Sequence, residues 1–144
     1  AEIVRVTRGG GTVTVIDGDH GSVIMHPESE AARAAIDCQV GLQHRGGGDP
    51  MIGRRLYPLL VSAGLEDVSA EARQVYTDGG TPKLADAFTR KTFTAMIAGV
   101  REDALAAGLI TPEQFENGIA ALEETASPHG TFAYTFFKAQ GLVP

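Results

Sequence analysis

The sequence predicts an α/β fold in a single domain, residues 1–144, with three strands and about four flanking helices. Three observations predict it. The run Thr12–Ile16 is rich in β-branched residues and follows three glycines, Gly9–Gly11, as a buried strand would. The segment 131–140 sets Phe132, Tyr134 and Phe136 on one face and Thr135 and Phe137 on the other, the pattern of an interior strand. Between these two stretches, apolar residues recur at helical spacing behind proline-marked helix starts.

Composition limits the function classes. At 144 residues the chain is long enough to bury a core, and 43% of its residues are hydrophobic, as in ordinary soluble proteins. No apolar run approaches the roughly 20 residues that span a bilayer, so no membrane partner is expected. The net charge is −6 and the twelve basic residues are scattered, which argues against nucleic acid as a partner. The single cysteine, Cys38, excludes an internal disulfide and fits a cytoplasmic location. It reads as a small core residue rather than a nucleophile.

Taken in order, the opening AEIVRVTR reads as the last turns of an amphipathic helix without a start signal, which points to a chain continued upstream, and it lacks the apolar core of a signal peptide. The strand 12–17 then ends in Asp17, Asp19 and His20, read as a polar tip with Gly18 and Gly21 allowing turns. Residues 22–26 extend as a short edge segment that Pro27 ends. A helix follows from Glu28 to about Gln43 on an Ala31, Ala32, Ala35, Ile36, Val40 and Leu42 stripe. Asp49-Pro50 starts the next helix, to about Ala63, although Pro58 would kink it unless the helix begins near Tyr57.

Gly64 caps that helix, and a second strand covers about 68–77, with Val68, Ala70, Ala72, Gln74 and Tyr76 facing one way and a wetter face opposite, as near a sheet edge. Residues 81–126 form a helical insertion. Thr81-Pro82 opens a long helix ending around Ala107, and Thr111-Pro112-Glu113-Gln114 is a capping-box start for the next. Ser127-Pro128-His129-Gly130 breaks it before the aromatic strand.

The order of elements resembles the C-terminal half of a class I S-adenosylmethionine-dependent methyltransferase of the small-molecule type. The residues that carry this are Arg5–Gly11 before Val13–Asp17, Gly53-Arg54-Arg55-Leu56 with Leu59-Leu60, Ala63-Gly64-Leu65 before Val68, and the strand Thr131–Lys138. The resemblance implies a partial Rossmann-like fold, with a three-stranded sheet, read as mixed, in the spatial order first–third–second and with the third strand inserted antiparallel between the other two. Gly9 stands where that family often has proline. The family's cofactor site lies mainly in its first half, which is not represented in this sequence, and the clusters Gly9–Gly11 and Gly46–Gly48 lack a strand–loop–helix context. The implied function is therefore the substrate side of a methyltransferase using S-adenosylmethionine, with this chain alone inactive and a poor binder of the cofactor.

By the same resemblance the Asp17–His20 segment borders the pocket of a small-molecule methyl acceptor. His20 would be the catalytic residue, taking a proton from a hydroxyl or amine, with Asp17 and Asp19 orienting it and contacting substrate. The competing reading is a turn in which both aspartates bond nearby backbone amides. A metal reading would add His26 to the two acids. Arg54, with Arg55, either grips an anionic substrate or pairs with a neighbouring acid. Tyr134, with Phe136 and Phe137, is either a substrate-contacting wall or sheet core. His44 and His129, at element ends, receive no role. The alternative function is a stand-alone binding or dimerisation module. The exposed edge of the first strand would discriminate, because it is expected to be covered by a second copy, by a rearranged local segment or by the absent N-terminal half.

Overall fold

A computed structural model describes residues 2–144. Helix α1 covers Glu2–Val6, and Ala1 lies outside the described residues. Strand β1 then runs unbroken over Thr12–His26, more than twice the length expected. Helix α2 occupies Glu30–Arg45, capped by the Ser29 hydroxyl, which accepts from the Ala32 amide. A tight helical turn, Ile52–Arg55, leads into α3, Leu56–Ser62. Pro58 is tolerated because α3 starts at Leu56, which puts the proline in the first turn, where its missing N–H would have no helical partner. The predicted start at Asp49-Pro50 is replaced by a turn that precedes Ile52. Gly64, at φ +82°, ends the segment in the left-handed conformation that favours glycine.

Strand β2 spans Glu66–Asp78 and β3 spans Thr131–Leu142. They form an open sheet with β1 in the order β1-β3-β2, the spatial order anticipated. The sheet is antiparallel, not mixed. Gly10 donates to the Val143 carbonyl and Val143 donates to that of Gly11. Gly141 lies beside Leu65 and Val68, while the Thr77 hydroxyl reaches the Phe132 carbonyl at 3.5 Å. The middle strand thus opposes both neighbours, and no hydrogen-bonded pair shares a direction. Only Thr77 of β2 is buried, so the face expected to be dry is wet as well.

The chain gathers into two compact units. One holds the chain up to Gly21, Met51–Val75 and Tyr134–Pro144; the other holds Ser22–Pro50 and Tyr76–Ala133. In the first, α3 covers the sheet with a core of Val13, Leu56, Leu60, Leu65, Ala139 and Val143, against which Val15, Val68 and Phe137 pack. The position of Phe137 in this cluster, and of Tyr134 beside Phe136 with ring centroids 5.0 Å apart, puts aromatics on both faces of β3.

In the second unit, residues 82–98 are helical, beginning as α4, Pro82–Leu84, and ending as α5, Ala95–Ala98. Between them, Ala85–Thr94 adopts wider turns, in which the Ala95 amide reaches back five residues to Arg90. The Thr81 hydroxyl does not cap this helix, because it is turned back onto Asp78. The expected single helix to Ala107 is interrupted at Gly99 and resumes as α6, Arg101–Ala106. Helix α7, Pro112–Glu124, carries both bonds of the capping box predicted for Thr111 and Gln114. It packs on α2 through Gly118, where a Cβ would stand 2.5 Å from the Ala31 carbonyl and 2.7 Å from the Ala35 methyl. Phe93 stacks near Phe132 at 4.8 Å, and Thr77 and Thr89 share a buried hydrogen bond of 2.8 Å.

Because the Thr111 side chain satisfies an otherwise orphaned amide, Thr111→Ala is expected to cost about 1 kcal/mol. Urea unfolding monitored by circular dichroism would show the midpoint fall without a change in slope.

Candidate functional site

β1 alternates about its axis, and two glycines in its centre let other elements approach closely. Val13, Asp19, Val23 and Met25 are its buried positions, all of one parity and therefore on one face. The predicted polar tip is thus a mid-strand segment. Asp17, Asp19 and His20 do not lie in a loop beyond the sheet, and Gly18 and Gly21 do not form turns. Turn-forming residue types are overruled here by what packs around them.

Asp19 is 1% exposed. Its carboxylate takes a two-pronged bond from Arg54, Nε on Oδ2 and Nη2 on Oδ1 at 2.9 Å, and Oδ1 also accepts from the Gly21 amide at 2.9 Å. Such a fork suits a planar guanidinium and offsets the cost of burying the charge. Of the two readings of Arg54, the pairing with an acid is the one seen, and the acid is Asp19, 35 residues away. Gly53 brings the arginine there: a Cβ on it would lie 2.7 Å from the Gly18 carbonyl. Asp17 is exposed, and its Oδ1 accepts from the amide of Gly18 at 2.8 Å.

On the other face of β1, His20 is half-buried and its Nδ1 lies 3.2 Å from the Tyr134 hydroxyl. Tyr134 is buried, and its hydroxyl occupies the space over Gly18, where a Cβ would come within 2.1 Å of Oη. Burial pushes the Tyr134 hydroxyl well above its ordinary value, and the charges of Asp19 and Asp17 add to this. Burial also lowers His20, against the opposing pull of Asp19 and Asp17. Gly18 is the site residue that sequence reasoning missed; its signal was a glycine between Asp17 and Asp19, two residues beyond the β-branched run Thr12–Ile16.

His26, His44 and His129 are exposed. Among the described residues no group of three His, Cys, Asp or Glu side chains stands close enough to hold a metal ion. Nor do the described glycine clusters fit a nucleotide cofactor. Gly9–Gly11 join a helix to a strand, and Gly46–Gly48 join a helix to a turn, so neither supplies a strand–loop–helix cradle. No protein-family model matches the chain, and no curated protein is similar to it in sequence.

Two outcomes follow from this geometry. Arg54→Ala strands a buried carboxylate and is expected to cost about 3 kcal/mol, the low end for breaking a buried pair, because Arg54 is itself half-exposed. Asp19→Asn, which leaves the arginine to water, should cost about 1 kcal/mol. Parallel urea titrations check the order. His20 binds its proton more weakly folded than unfolded, so between the two values the unfolded chain holds more protons. Its stabilising contribution is full above the ordinary value of 6.5 and is lost as pH falls toward the lowered folded value. The unfolding midpoint should therefore drop on acidification through that window, and His20→Gln should remove part of the drop.

Proposed function

We propose that this chain is the substrate-side half of an S-adenosylmethionine-dependent methyltransferase that acts on a small molecule, and that the chain alone is not competent. The observation that carries this reading is the strand order β1-β3-β2, with the third strand inserted against the direction of both neighbours. That arrangement is what the resemblance to the end of the methyltransferase fold implies. A second support is the edge of β1. Among the described residues no segment of the chain adds to its outer side, so a rearranged local strand is not what covers it. A complementary upstream segment would supply the next strand, together with the cofactor cradle that the glycine clusters here do not form.

In this reading His20 contacts the methyl acceptor, Asp17 lies at the rim of the same strand segment, and Asp19 with Arg54 holds the segment in place. Methyl transfer between a sulfonium and a nucleophile depends chiefly on placement, so rigidity of β1 is the contribution expected of this half.

The same open edge favours a second reading, a stand-alone dimerisation module. β1 has fifteen residues and neither proline nor lysine to block pairing with another chain, and Ile16 on it is 59% exposed.

Calorimetric titration with S-adenosylhomocysteine tests the first reading. No heat of binding with the chain alone, and binding restored by an upstream methyltransferase segment, is the expected pair of results. Tight one-to-one binding by the chain alone would overturn it. A dimer by sedimentation that no upstream segment dissociates would favour the second reading.

A further inference from the structure

The Tyr134 hydroxyl is buried and keeps its proton, because burial holds its ionisation well above the ordinary value. His20 Nδ1 lies 3.2 Å away on the same hydroxyl. Gly18 makes the placement possible, because any Cβ there would occupy the position of Oη. A phenol that keeps its proton has one hydrogen to give, and the imidazole nitrogen 3.2 Å away is an acceptor placed to receive it.

We infer that Tyr134 is a positioning residue that fixes the neutral His20 with its ring hydrogen on Nε2, so that the site meets its ligand with an N–H donor rather than with a base. In neutral imidazole one nitrogen donates and the other accepts, and the bond made by one decides the other. A partner at Nε2 is then an acceptor atom, such as a carbonyl or hydroxyl oxygen. With its hydrogen on Nε2, His20 orients the methyl acceptor by a hydrogen bond and is not its base, so the proton of a hydroxyl or amine acceptor leaves to water. The substrate-side consequence rests on the methyltransferase reading; the tautomer does not.

Long-range proton–nitrogen correlation NMR on the uniformly 15N-labelled chain, at about pH 8 where imidazole is neutral, reads the tautomer directly. His20 is assigned by its loss in His20→Gln, and the exposed His26, His44 and His129 serve as internal references. The expected result is a protonated Nε2 and an Nδ1 resonance displaced from the references by the bond it accepts. Tyr134→Phe should return that resonance to the reference position, and Gly18→Ala should reproduce the effect by displacing the hydroxyl. A protonated Nδ1 in the unmodified chain, or an Nδ1 resonance coincident with the references, overturns the inference without Tyr134→Phe or Gly18→Ala having to fold. Because no cofactor enters these spectra, their outcome is separate from the S-adenosylhomocysteine titration, and failure of one does not imply failure of the other.

Discussion

The structure depends on β3 being hydrogen-bonded on both sides. A strand in the middle of a three-stranded sheet exposes neither edge, so its backbone groups are satisfied by its neighbours and its side chains must be accommodated on both faces. In the first unit, α3 packs on one face through Ala139, Val143 and Phe137, while Tyr134 and Phe136 lie on the other. In the second, Phe132 is enclosed by Phe88 and Phe93. The His20 side of β1 is placed by reference to this strand, because the Tyr134 hydroxyl on β3 determines what β1 can be at Gly18 and how His20 is held.

β1 serves two purposes at its midpoint. On one face a carboxylate is buried and compensated by Arg54 and a backbone amide; on the other an imidazole is held by a phenol. Successive residues of a strand point to opposite faces, so the adjacent Asp19 and His20 meet different partners. The expectation that an aspartate would orient the histidine by direct contact does not take account of this alternation. Asp19 still acts on that side of the sheet through its charge, which opposes the effect of burial on His20 and adds to it on Tyr134.

What was legible in the sequence follows the range of the forces involved. The capping box at Thr111 and Gln114 involves four consecutive residues, and it forms as read. The interior position of β3 was legible from aromatics on both its faces. The length of β1 was not. Asp17-Gly18-Asp19 and Gly21 carry turn chemistry locally, yet the groups that hold this stretch straight come from Arg54 and from Tyr134, 114 residues beyond His20. The break at Gly99 has a local signal, because glycine is a poor helix former, whereas the wide turns of Ala85–Thr94 have none in the residue types alone. At Thr81, threonine and proline suggested a cap, but the hydroxyl had a competing acceptor in Asp78.

The single cysteine offers an internal clock. Cys38 is buried with Ala104 and Phe115, its sulfur hydrogen-bonds to the Ala34 carbonyl, and burial raises its thiol above the ordinary value. In this state it is neither accessible nor a thiolate, so an alkylating reagent reacts only with molecules in which the packing around α2 has opened. The rate of thiol labelling therefore counts local opening of this cluster, separately from any signal at β1, and requires no substitution.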